Sequence, residues 1–85
     1  MVKKTIKYTK DIAFHIRPIG QFTHIAKQSK NEVYVIKENT KVPGDKVMQL
    51  LRLEISKNDI ITIQVEGDDE ENILNQLINT ILGVN

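Results

Sequence analysis

Eighty-five residues carrying 12 basic and 11 acidic side chains have a net charge of +1, which is no electrostatic footprint for a nucleic acid. Two Phe and two Tyr offer little from which to build base-stacking platforms, and without cysteine no disulfide framework or thiolate metal site can hold the chain. Stability must come from a core, which 40% apolar residues can supply, and one domain spanning residues 1–85 is expected.

The amino-terminal stretch MVKKTIKYTKDIAF has lysines but lacks the apolar run of a secretory signal. No window approaches the roughly 18 apolar residues that span a bilayer. A cytoplasmic protein with no direct membrane insertion is therefore expected.

From Val2 to Tyr8, β-forming residues alternate imperfectly with lysines and predict a strand. Between Ile16 and Lys27, Ile19, Phe22 and Ala26 recur at helical spacing, and Ile25 widens the stripe. Pro18 suits a first turn, where its missing N–H is no loss. The residue before a proline is pushed away from helical angles, which puts Arg17 near the boundary and His15 just outside the helix.

Glu32 to Lys37 predicts a second strand by composition and alternation. Glu38-Asn39-Thr40 then turns the chain, with Asn39 the residue expected at positive φ. A short strand of Lys41 and Val42 ends at Pro43-Gly44. Asp45 is the expected N-cap of a short helix bearing Val47, Met48, Leu50 and Leu51. Ile60 to Val65 alternates cleanly, with Ile61, Ile63 and Val65 on one face.

Gly67-Asp68-Asp69-Glu70-Glu71 places acids where the positive end of a helix dipole favours them. Asp68 and Glu71 have the spacing of a capping box. Ile73-Leu74, Leu77-Ile78 and Ile81-Leu82 then repeat as one apolar face, and Gly83 follows as a C-cap. The order is β-α-β-β-α-β-α. Helices apolar on one side must cover one face of an alternating sheet, which predicts a two-layer α+β sandwich, antiparallel where the Glu38-Asn39-Thr40 hairpin joins its strands. Strand order stays open, because a ferredoxin-like split βαβ with an added helix shares this element order.

The chemistry concentrates in AFHIRPIG, residues 13–20. A helix N-terminus offers unpaired backbone N–H groups and partial positive charge, a ready anion site. An imidazole there can act as a nucleophile, since its neutral form is available near neutral pH. Arg17 can add a bidentate fork to an incoming phosphoryl group. A lone histidine between apolar neighbours is nonetheless more often a flanking residue without catalytic duty, and the window alone decides nothing. His24, nine residues after His15, is half a turn out of phase with it on a helix, so no metal site is expected.

The whole chain resembles HPr, the histidine-containing phosphocarrier of the bacterial phosphoenolpyruvate-dependent sugar phosphotransferase system, and the resemblance implies an α+β two-layer open-faced sandwich, a four-stranded antiparallel sheet covered on one face by three helices. The family segment Gly-Ile/Leu-His-x-Arg-Pro-Ala is matched by Ala13, Phe14, His15, Ile16, Arg17, Pro18 and Ile19. Ala26-Lys27, Lys41-Val42, Val47-Met48, Leu53, Ile61-Thr62-Ile63 and Gly67-Asp68-Asp69-Glu70 also look like the family, without a gap over essentially all 85 residues. The resemblance implies that His15 accepts a phosphoryl group on Nδ1 from enzyme I and donates it to the A domains of sugar permeases. It further implies that Arg17 balances the phosphoryl charge and that the backbone N–H groups of Ile16 and Arg17 point at the phosphate. Gly20, Gln21, His24, Val47, Met48 and Leu51 fall on the surface with which the family docks its partners, although core packing explains the apolar three equally well. No cofactor is implied, the protein is a relay rather than a turnover enzyme, and a monomer can do the work. The alternative is an HPr-like regulatory module that docks partners with weak or no relay.

Several positions depart from the family pattern. Ile12 and Ala13 replace a polar residue and a glycine ahead of the histidine, Ile16 and Ile19 replace small residues, and Glu54 stands where glycine is common. In Gram-positive HPr proteins a serine opening the second helix is phosphorylated by a dedicated kinase; here that position is Lys46, and the nearest hydroxyls, Thr40 and Ser56, do not match the motif. Incubation with ATP and a purified HPr kinase is therefore expected to leave every hydroxyl residue unlabelled. Phosphate on any Ser or Thr would overturn this expectation.

Overall fold

The computed structural model describes residues 1–11 and 13–83. The elements run β1 (Val2–Lys7), α1 (Ile16–Ser29), β2 (Glu32–Lys37), β3 (Thr40–Pro43), α2 (Val47–Arg52), β4 (Ile60–Glu66) and α3 (Glu70–Leu82). The strands form one sheet in the order β1-β4-β2-β3, with every neighbouring pair antiparallel. This resolves the point that element order left open: β4, the last strand in sequence, lies between β1 and β2. Each helical crossover spans an intervening strand, α1 leading from β1 past β4 to β2 and α2 from β3 past β2 to β4.

The period-2 pattern of the strands sets the register. Val33 and Val35 of β2 lie opposite Val65 and Ile63 of β4, and Val35 also faces Val42 of β3. All five are buried, so a one-residue slip would turn this set out into water. Against them α1 lays Ile19, Phe22 and Ala26, while Ile25 is only half-buried. Thr23 shares the buried face because its hydroxyl donates to the Gly20 carbonyl oxygen at 3.0 Å, so no polar atom is stranded. From α3 come Ile73, Leu74, Leu77, Ile78 and Ile81. Burying an aliphatic side chain of this size contributes about 1.5–3 kcal/mol, which outweighs the modest helix propensity of its isoleucines and asparagines.

Three local expectations are corrected. The two-residue loop closed by the Lys37–Thr40 pair puts Glu38, not Asn39, at positive φ (56°). A tight hairpin needs its left-handed residue at the first loop position, whatever side chain stands there. Lys46, not Asp45, is the N-cap of α2, whose first hydrogen bond runs from Leu50 N–H to Lys46 O at 3.1 Å. The preceding turn is held against β2 by Gly44 N–H donating to Val33 O at 2.7 Å, and a Cβ on Gly44 would collide with the Val33 side chain. The chain therefore enters the helix one residue later. At α3 the N-cap is Asp69 rather than Asp68, and the returning carboxylate is that of Glu70, which accepts from Gly67 N–H at 3.2 Å. Asp68 is spent in the turn. Gly83 does close α3 in a left-handed conformation at φ 70°.

The segment between α2 and β4 is fastened by one ammonium group. Lys37 ends β2 on the helix side of the sheet, following Val33 and Val35 at period 2. Its Nζ donates to Leu53 O at 2.9 Å and Glu54 O at 3.0 Å and pairs with Asp59 Oδ2 at 2.9 Å. All three N–H bonds are used. Asp59 Oδ2 also accepts from Ser56 N–H at 2.8 Å, and Tyr8 joins this turn by donating its N–H to Asp59 O at 2.9 Å and accepting from Asn58 N–H at 2.8 Å.

The Ser56 backbone N–H, with Lys37 second, holds the Asp59 carboxyl below its ordinary pKa. A depressed folded-state pKa contributes stability that is present above the unfolded value and is lost as pH falls through the folded one. Asp59→Asn is thus expected to lower the unfolding midpoint at neutral pH. The gap to the parent should close as acid titrates Asp59, and a gap independent of pH in urea titrations would contradict this.

Candidate functional site

Phe14 determines where the histidine stands. Its backbone N–H donates to Ile55 O at 2.9 Å, and its side chain is 4% exposed. The ring lies 6.2 Å from that of Tyr8 and 6.0 Å from that of Phe22, the latter edge-on at 80°. Such tilted pairs suit the ring quadrupoles and restrict rotation of the anchor. His15, the next residue, turns outward and is exposed.

His15 is the N-cap of α1, with extended angles (φ −115°, ψ −172°), and its carbonyl accepts the first helical bond from Ile19 N–H at 3.0 Å. Its imidazole makes no capping hydrogen bond, which leaves the ring uncommitted among the described residues. The first-turn N–H groups of Ile16 and Arg17 have no intrahelical partner, and Pro18 has no N–H at all. No acidic residue occupies that turn. The expected position of His15 just outside the helix holds, but Arg17 is already helical. Pro18 sits third in the helix, where its missing donor still falls among the unpaired four.

His15, Arg17 and Gln21 border a hollow of about 300 Å³ between the start of α1 and the end of α3. Ala13 and Pro18 also line it, the far wall is Thr80, Ile81 and Gly83, and Tyr8 and Lys10 enter from the chain just beyond β1. No carboxylate is among the described residues that line it. Burial raises the pKa of the Tyr8 phenol above the ordinary tyrosine value, so it stays neutral. Sequence spacing brings Arg17 and Gln21 together one helical turn apart. It carried no signal for Lys10 or Thr80, which only the folding of α3 back toward the end of β1 delivers.

The six residues expected on a docking surface divide. Gln21 faces the hollow. Gly20 and His24 are exposed and continue the strip begun by Ile16 at i, i+4 and i+8. On α2, Met48 is 60% exposed, whereas Val47 and Leu51 are half-buried and pack against the core. Ile16 is 59% exposed, so an apolar side chain stands beside the imidazole. Ile12 lies outside the described residues. Among those described, no group of three or more His, Asp or Glu is placed to hold a metal ion, and no helix is long and apolar enough to cross a membrane.

Residues 2–82 match the family model described as the phosphotransferase-system HPr component phosphorylation site. The chain belongs to the HPr family. It is 32% identical over 83 residues to the phosphocarrier protein HPr of Neisseria meningitidis, covering 98% of this chain and 93% of that one. The HPr-like protein Crh of Halalkalibacterium halodurans is 30% identical over 78 residues, covering 92% and 93% respectively. The crystal structure of HPr-C-His from Thermoanaerobacter tengcongensis superposes with a TM-score of 0.88 at 28% identity, covering 100% of this chain and 99% of that one. HPr proteins are phosphocarriers of the bacterial phosphotransferase system rather than turnover enzymes, and the open sheet with three helices is their architecture.

Within that architecture the start of α2 is poorly finished here. Lys46 makes no side-chain cap, and no acidic residue lies in the first turn, so a cation faces the positive end of the helix. Lys46→Ser should supply an acceptor for an N-terminal N–H and raise stability by about 1 kcal/mol. An unchanged or lower urea midpoint would contradict that account.

Proposed function

We propose that the protein is a phosphocarrier that accepts a phosphoryl group on Nδ1 of His15 from enzyme I and donates it to the A domains of sugar permeases. The observation that carries this reading is an exposed, uncommitted imidazole at the N-cap of a 14-residue helix whose first turn holds no acid. In the forward step the Nδ1 lone pair forms the P–N bond as the bond from phosphorus to the donor breaks, its electron pair leaving with the donor. The Nε2 proton stays in place, so no separate base is needed. The Ile16 and Arg17 N–H groups and the Arg17 guanidinium meet the charge on the equatorial oxygens. Return transfer reverses the same displacement, which is why the group must stand open to two large partners rather than in a closed pocket.

Docking falls to Ile16, Gly20 and His24 along one strip of α1, with Gln21 at the hollow and Met48, Val47 and Leu51 on α2. Met48 and Ile16 supply the exposed apolar area, while Val47 and Leu51 divide their surface between core and partner. A monomer in the cytoplasm, one domain over residues 1–85, suffices for this relay, and no cofactor takes part.

The second reading is a regulatory HPr-like module, favoured by similarity to the Crh relative and by the bulky Ile16 beside His15. Incubation with enzyme I and radiolabelled phosphoenolpyruvate is expected to give acid-labile label on this protein and none on His15→Ala. Absence of label under conditions that charge an ordinary HPr would favour the regulatory reading.

A further inference from the structure

The hollow beside His15 contains two cationic side chains, and only one of them has been given a purpose. Lys10 follows β1 and lines the same cavity as His15 and Arg17. Its stem lies along the end of α3: a Cβ on Gly83 would meet Lys10 Nζ and sit 3.2 Å from Cε. That is the negative end of the α3 dipole, which favours an ammonium group there. The neighbouring acid is already engaged elsewhere, since Asp11 Oδ1 pairs with Lys57 Nζ at 2.7 Å. Among the described residues no carboxylate neutralises Lys10, and none lines the hollow.

We infer that Lys10 is a second cation of the phosphoryl site, working with Arg17 to favour a dianionic phosphoryl group at the hollow. This rests on the phosphocarrier reading for its ligand, but not for its geometry. Two positive groups and an imidazole line one cavity, and no carboxylate is among the described residues that line it. A phosphoryl group on His15 would bring an anion there. Arg17 reaches it from the helix that bears the histidine. Lys10 approaches from the opposite wall, with its ammonium group beside Gly83 at the α3 terminus. Its effect is therefore electrostatic and set by ionic strength, distinct from a packing role.

The test uses Lys10→Gln and Lys10→Arg in the full chain. In equilibrium mixtures with enzyme I and phosphoenolpyruvate at low salt, Lys10→Gln should lower the phosphorylated fraction relative to enzyme I by about threefold to tenfold. Lys10→Arg should restore it, and the deficit should shrink as added salt screens the charge. In parallel, inorganic phosphate is titrated against the unphosphorylated protein while the Ile16 and Arg17 amide resonances are followed. Its Kd should rise about threefold in Lys10→Gln and stay near the parent value in Lys10→Arg.

Thermal unfolding separates a folding defect from an electrostatic one, because Lys10→Gln should lower the midpoint only by the small amount that losing one cation at the α3 C-terminus costs, and Lys10→Arg should not lower it. If the parent takes no label yet phosphate binding still responds to Lys10, the relay reading falls and the cation assignment stands. If the parent is labelled but neither the equilibrium nor phosphate affinity responds to Lys10→Gln, the cation assignment falls alone. A deficit insensitive to salt, or one not rescued by arginine, also overturns it. A parent that neither takes label nor binds phosphate overturns both.

Discussion

The position of His15 depends on one buried neighbour. Phe14 is tied by its amide to the Ile55 carbonyl and by its ring to Tyr8 and Phe22, so the loop before α1 is pinned from two directions. A backbone bond alone would leave the loop free to pivot, and a buried ring alone would leave its peptide unpaired. Together they make the next residue face outward. An exposed side chain is normally a mobile one; here exposure is combined with a defined backbone because the ordering energy is spent on the residue before it.

The carbonyl that holds Phe14 belongs to a segment that is itself held from below. Lys37 reaches from the end of β2 to the carbonyls of Leu53 and Glu54 and to Asp59, and so closes the turn that contains Ile55. Glu54 sits at φ 52°, a left-handed conformation that glycine adopts freely and glutamate does not. Its carbonyl is one of the two that Lys37 grips, and its own N–H donates to Leu51 O at 3.1 Å. A strained residue is thereby fixed on both sides by hydrogen bonds. The departure from the family's glycine at this position leaves the turn intact for that reason.

The sequence showed these features unevenly, and the reasons are physical. The apolar stripes of α1 and α3 and the alternation of β4 were legible because each element buries one face and the pattern is local. His15 outside α1 was legible because Pro18 constrains the chain around it. Strand order was not, because inserting β4 between β1 and β2 depends on packing between segments some sixty residues apart. The N-caps slipped by one residue at α2 and α3, where Gly44 and Asp68 serve the preceding turns first. The hollow was invisible for the same reason as the strand order: Lys10 and Gly83 meet only after the fold closes.

The edges of the sheet carry a consequence of the β1-β4-β2-β3 order. β1 and β3 are the outer strands, and each exposes one row of unpaired backbone groups that another chain's strand could extend. Lys3, Lys4 and Lys7 stud the first edge, while Lys41 and Pro43 interrupt the second. Like charges repel an identical edge, and proline cannot donate to a ladder. Those lysines and the proline thus make each edge a poor template for a further strand.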